Sequence, residues 1–223
     1  MIDYAAARRM MVEGQVRTSD VTDPRVLAAM LAVPRERFVP ETMAGLAYLD
    51  LDVPASSAMP GEHVRRLLKP MVLAKLIQAA AVAESDHVLD VGCASGYSSV
   101  VLARLARTVV ALEEEPALAR RAGENLAAVG AHNVTVVTGT LIEGWPAQAP
   151  YDVIFLNGAT EIEPQTLFRQ LRDAGRLIGV VGRSPPGRAM LYRSVGGDVS
   201  GWPIFDAAAP VLPGFTAPAA FVF

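Results

Sequence analysis

Between residues 86 and 182, short apolar runs alternate with stretches whose apolar residues recur at helical spacing. This alternation predicts a parallel sheet covered by helices. The predicted strands are HVLDV (87–91), TVVALE (108–113), NVTVV (133–137), YDVIFL (151–156) and GRLIGVVG (175–182). Between the first two, Tyr97, Val101 and Leu105 align on one helix face. Pro116 and Gly130 bracket a second helix, striped by Leu118, Ala122 and Leu126. A third starts at Pro164 and carries Leu167, Phe168 and Leu171.

Before residue 86 the pattern is helical. Asp23 and Pro24 suit the N-cap and first turn of a helix to Leu31. Pro40 opens a short helix, and Pro70 a longer one ending near Val82. VPASSAMPG (53–61) has no period and predicts a flexible loop. Beyond Gly182, SPPG predicts a loop, AMLYRSV a strand, VGGDVSG a turn-rich connection and AAFVF a last strand. No linker-like stretch divides the chain, so the expectation is one domain over 1–223. Its parts are a helical extension (1–85), an αβ core (86–182) and a segment of strands and proline-rich loop (183–223). The fold class is α/β: a doubly wound, Rossmann-like, mostly parallel sheet with helices on both faces and antiparallel strands at its C-terminal end.

Composition narrows the function. Hydrophobic residues make up 52% of the 223 and charged ones 19%, a globular balance. The most apolar helical candidate, PMVLAKLIQAAAVA, is interrupted by Lys75 and Gln78, and no run reaches the ~18–20 residues that cross a bilayer. MIDYAAARRMM carries Asp3 and no apolar h-region, so no signal peptide is expected and the location is read as cytoplasmic. With net charge −3, two lysines and dispersed arginines, the chain has no overall basic footprint, and nucleic acid is not an expected partner. A lone Cys93 excludes internal disulfides, and His63, His87 and His132 are scattered, so no metal site is expected.

VLDVGCASGY (88–97) is where the chemistry concentrates. It lacks the dinucleotide fingerprint, because Ala94 stands between Gly92 and Gly96 and Ser99 replaces a third glycine. It also lacks the G-K-[ST] of a P-loop. Asp90 ends the strand, where it would repel a pyrophosphate and suit an ammonium or sulfonium. Glu113 ends the next strand, where an acid can accept both hydroxyls of a ribose. A cationic, ribose-bearing, phosphate-free ligand is S-adenosyl-L-methionine. Cys93, at a helix start, is a weaker candidate for a reactive thiol because no histidine is paired with it.

These residues, with MVEGQVRTSDVTDPRVLAAMLAVPRERFVPE (11–41) and its V-P-R-x-x-F-V-P signature, resemble the protein-L-isoaspartate O-methyltransferases. LAYLDLDVP, VVALEEEPALARRAGENL, GWPAQAPYDVIFLNGA and LRDAGRLIGVVG continue the likeness over most of the chain. The resemblance implies a class I methyltransferase fold and methyl transfer to a carboxylate of an isoaspartyl residue in damaged protein, so a protein or peptide substrate is expected. It implies cofactor contacts by Asp90, Gly92, Gly96 and Glu113; Ala94 and Tyr97 of the same stretch, with Thr140 and Leu141 after the third strand, complete the expected cofactor set.

Two stretches depart from the family. Its T-x-S-Q-P-like motif is here Arg66-Leu67-Leu68-Lys69-Pro70, with leucine for serine and lysine for glutamine. Arg65, Arg66 or Lys69 could replace the lost donors, unless they are a solvated lead-in to the helix. Its G-D-G after the third strand is Gly139-Thr140-Leu141, leaving a backbone amide and Leu141 to meet an adenine. The substrate-side candidates are Arg66, Lys69 and Asn157, the last equally read as half of an Asn-Gly turn. A methyltransferase with another acceptor, or a cofactor-binding protein without transfer, are the alternatives.

Overall fold

Aspartate caps and prolines place the first helices. In the computed structural model, which describes residues 2–57, 64–182 and 187–218, Asp3 caps α1 (Tyr4–Met11) by accepting from the Ala6 amide at 3.0 Å. The chain continues through a π turn (Val12–Val16) and a 3-10 turn (Arg17–Ser19) to Asp20, whose left-handed backbone stops it. Asp23 caps α2 (Pro24–Ala32), as its sequence predicts. Pro40 opens a 3-10 segment (Glu41–Leu46) in place of a short α-helix. Val53–Pro54 and Arg66–Leu67 pair as a small antiparallel ladder, β1 and β2. The start of the predicted loop 53–61 is therefore a strand, and residues 58–63 lie outside the described residues. α3 (Pro70–Ala80) ends at Ala81, again left-handed.

The alternation then runs as predicted: β3 (His87–Val91), α4 (Tyr97–Ala103), β4 (Thr108–Glu113), α5 (Pro116–Ala128), β5 (Val134–Thr138), β6 (Tyr151–Thr160), α6 (Gln165–Phe168) and β7 (Leu171–Val181). β8 (Gly187–Val195) and β9 (Asp198–Ala207) follow. The seven strands stand in the order β5-β4-β3-β6-β7-β8-β9, parallel through β7 and antiparallel beyond. β3 and β4 are buried on both faces, which accounts for their unbroken apolar runs.

Three sequence expectations change. Leu171 begins β7 and is not on the helix after Pro164, which makes only one turn. VGGDVSG is mostly strand: Gly196 and Gly197, both at positive φ, form a two-residue hairpin turn, and β9 starts at Asp198. That strand is largely exposed at the sheet edge, so it has little apolar alternation to reveal it, and Pro203 is tolerated there. β6 runs past Leu156 to Thr160, so Asn157-Gly158 is strand, not turn. AAFVF (219–223) lies outside the described residues.

Beside β3 and β6 the chain order reverses direction, which opens a crevice at the carboxyl ends of these strands. The tail crosses here. Ala159 donates to Pro210 O at 2.7 Å, Leu212 donates to Ala159 O at 2.9 Å, and Val211 bridges Ala159 in parallel. No helix among the described residues is long and apolar enough to cross a membrane.

Candidate cofactor site

The loop between β3 and α4 is held in an unusual backbone shape. Gly92 (φ +78°), Ala94 (φ +52°) and Gly96 (φ +95°) all take the left-handed region. Glycine adopts it freely, whereas Ala94 carries a cost of about 1 kcal/mol. β4 holds the loop in place: the Gly92 and Cys93 amides donate to Leu112 O at 2.8 and 3.0 Å. The Ala94 amide donates to Glu113 Oε2 at 2.7 Å, and the Glu114 and Glu115 amides reach Oε1 at 3.0 and 3.3 Å. Asn125 of α5 donates to Ser95 O at 2.9 Å.

Asp90 is fully buried. Its Oδ2 accepts the Ser98 and Ser99 hydroxyls, each at 2.6 Å, while Oδ1 has no partner among the described residues. Burial pushes its carboxyl up to about 6; the two serines oppose that rise, and nearby Glu113 adds to it. Asn157 bridges from β6, donating to Gly92 O at 3.1 Å and Ser98 Oγ at 2.8 Å, with Oδ1 likewise unpartnered among the described residues.

The structure thus brings together Asp90, Gly92, Ala94, Gly96, Glu113 and Asn157. Gly139 donates to Glu113 O at 3.1 Å, which sets Thr140 and Leu141 next in line. Thr140 is exposed, and Leu141 is buried in one cluster with Leu112, Leu212 and Phe215. Tyr97 is different. Its ring faces the N-terminal segment, edge-on to Phe38 with centroids 5.5 Å apart and 4.6 Å from the guanidinium carbon of Arg35. Tyr97 opens α4, and its side chain turns away from the loop. The Cys93 thiol is buried and pushed well up by that burial, which leaves it unreactive.

Arg66 and Lys69 are not brought to the loop. Arg66 Nη1 donates to Asp52 O at 2.9 Å, and the Lys69 amide donates to Asp52 Oδ1 at 2.8 Å. Leu68 is buried in the core. Successive residues of an extended chain point to opposite faces; Arg65, just before β2, where its carbonyl accepts from the Ala55 amide at 2.9 Å, turns to the loop while Arg66 does not. Arg65 Nη2 donates to Gly92 O at 2.7 Å, and Nε lies 3.5 Å from Glu113 Oε2.

A second buried arginine, Arg35, was outside the candidate set. It donates to Ala47 O at 2.7 Å and Leu68 O at 2.8 Å, joining the N-terminal segment, the stretch before α3 and the loop's Tyr97. An arginine between prolines in an apolar segment, V-P-R, was the available signal.

S-adenosyl-L-methionine fits these residues. Asp90 offers an unpartnered buried acceptor to an ammonium, and Glu113 offers an acid one strand away to a ribose. Gly92 stands at φ +78°, a backbone that strains any residue with a Cβ, and a Cβ there would also displace the ends of Arg65 and Leu212.

The sequence model of the Protein-L-isoaspartate(D-aspartate) O-methyltransferase (PCMT) family matches residues 7–199. The protein-L-isoaspartate O-methyltransferase of Methanoregula boonei is 42% identical over 82% of this chain and 80% of its own. Protein-L-isoaspartate O-methyltransferase 1 of Rhodopseudomonas palustris is 42% identical over 80% of this chain and 71% of its own. A solved protein-L-isoaspartate O-methyltransferase superposes with TM-score 0.80 at 25% identity, over 93% of this chain and 66% of that one. A Plasmodium falciparum structure assigned to the same activity, in complex with S-adenosyl-L-homocysteine, shares the fold at TM-score 0.75 and 19% identity, over 92% of this chain and 97% of that one. Two carboxylates at neighbouring strand ends, a loop that only near-glycine backbones can make, and a family match spanning both place the chain: it belongs to the protein-L-isoaspartate O-methyltransferase family.

Proposed function

We propose that the chain transfers a methyl group from S-adenosyl-L-methionine to the free carboxylate of an isoaspartyl residue in a protein or peptide. When bound, the cofactor supplies a sulfonium methyl; a carboxylate oxygen forms the new C–O bond while the C–S bond breaks and sulfur keeps the electron pair. A carboxylate is ionised near neutral pH, so no protein group has to remove a proton. The chain's work is alignment and exclusion of water. Asp90 Oδ1 would hold the ammonium end, Glu113 a ribose hydroxyl, and the Leu141 cluster the adenine. The helical extension, the αβ core and the C-terminal strands would act as one methyltransferase domain, with the cytoplasm as its setting.

The observation that carries this reading is the pair of buried acids at adjacent strand ends, one with an acceptor atom unpartnered among the described residues. The test is transfer of labelled methyl to an isoaspartyl peptide beside its aspartyl counterpart; transfer to neither, despite cofactor binding, would overturn the substrate. A second reading, another acceptor, draws on one observation: the residues standing for the family's serine and glutamine are a core leucine and a lysine held beside Asp52.

A further inference from the structure

Arg65 has no role in the reading above, yet it is one of few buried cations and it lies on the acid assigned to the ribose. Its side chain is 8% exposed. It spans the crevice between two groups, donating to Gly92 O at 2.7 Å and placing Nε 3.5 Å from Glu113 Oε2. Among the described residues, it is the one cation paired with Glu113.

Counting acceptors shows what this contact does. An ionised carboxylate offers about four acceptor positions. Three on Glu113 are filled by the Ala94, Glu114 and Glu115 amides. What remains is one position on Oε2, the atom that Arg65 Nε approaches to 3.5 Å without hydrogen-bonding it, and a ribose hydroxyl donating to Glu113 needs that position. The guanidinium also fills space directly over Gly92, where Leu212 from the tail packs beside it.

We infer that Arg65 is an internal competitor for the cofactor: its guanidinium occupies the ribose-binding side of Glu113 and must leave for the cofactor to bind. This rests on the cofactor reading above. The exchange has an electrostatic logic. With Arg65 docked, Asp90 and Glu113 share one buried positive charge; when Arg65 leaves, the ammonium shared by S-adenosyl-L-methionine and S-adenosyl-L-homocysteine restores a positive charge beside the two acids. The contact therefore lowers apparent affinity by the fraction of time the site is open, and it favours ligands that carry an ammonium.

The test compares S-adenosyl-L-homocysteine binding by calorimetry in the wild-type chain, Arg65→Gln and Arg65→Ala. Removing the competitor is expected to tighten binding roughly five- to tenfold, the factor gained when an open state populated at 10–20% becomes dominant. Equal or weaker binding in folded variants overturns the inference while leaving the cofactor reading intact. Binding to none of the three overturns both. A second measurement needs no variant: phenylglyoxal modification of Arg65, followed by peptide mass spectrometry. Arg65 is expected to be slow to react alone and faster in the presence of S-adenosyl-L-homocysteine; protection that persists with ligand overturns the exchange.

Discussion

The guanidinium carbon of Arg35 lies 4.6 Å from the centre of the Tyr97 ring, with both side chains fully buried. Arg35 comes from a turn 62 positions earlier and also holds the Ala47 and Leu68 carbonyls, so one side chain fastens the cofactor loop's first helical residue to two N-terminal segments. Burial lowers its pKa, and Nη1 has no partner among the described residues, so the charge is itself costly to keep. Its removal still leaves two buried carbonyls without donors, at about 1–3 kcal/mol each. Arg35→Met, which keeps the volume and drops the charge, is expected to lose about 2–4 kcal/mol in urea unfolding. Unchanged stability would mean that relief of desolvation outweighs the lost bonds.

Asp90 predicts a pH dependence. Its ordinary value is 3.8 and its folded value about 6, so between these the folded chain holds a proton that the unfolded chain has released. Stability from this group is therefore greatest below pH 4 and falls as pH rises through 6, by an amount on the order of 3 kcal/mol. Asp90→Asn is expected to flatten that part of the stability profile relative to wild type. Ligand binding should show the opposite trend. An ammonium requires the ionised acid, so affinity for S-adenosyl-L-homocysteine should rise between pH 5 and 7, as read by calorimetry.

Glu113→Gln is expected to weaken S-adenosyl-L-homocysteine binding about tenfold or more, equivalent to ~1.4 kcal/mol. The amide introduces an NH2 where either Ala94 N or the Glu114 and Glu115 amides already donate, and one donor must then face another. Affinity equal to wild type would remove Glu113 from the site.

Restoring the family's polar residues by Leu68→Ser with Lys69→Gln is expected to damage the fold and to give no isoaspartyl activity. Leu68 is 1% exposed in the main core. A serine there leaves a cavity and a buried hydroxyl, costing about 2–4 kcal/mol. Thermal unfolding and the methyl-transfer assay together decide it, and a stable, more active variant would refute the placement.

Period and punctuation carry most of this fold. The doubly wound order, the strands that carry Asp90 and Glu113 at their carboxyl ends, the cap at Asp23 and the start of α5 at Pro116 follow from spacing, because buried parallel strands and amphipathic helices write their burial into local pattern. The acids of the site were legible for the same reason: each sits where an apolar run stops. β9 was not legible, because an exposed edge strand has little apolar alternation to show. Nor was the extension of β6 through Asn157-Gly158, since pairing with β7 and the tail, not local preference, sets its end. The tertiary structure alone decided which arginine meets the loop. Arg65 and Arg66 are adjacent and chemically identical; Arg66 pairs with Pro54 and turns toward Asp52, while Arg65, held just outside the ladder by the Ala55 amide, turns toward Glu113. Such a choice depends on strand register between segments far apart in the chain, and composition or motif cannot encode it.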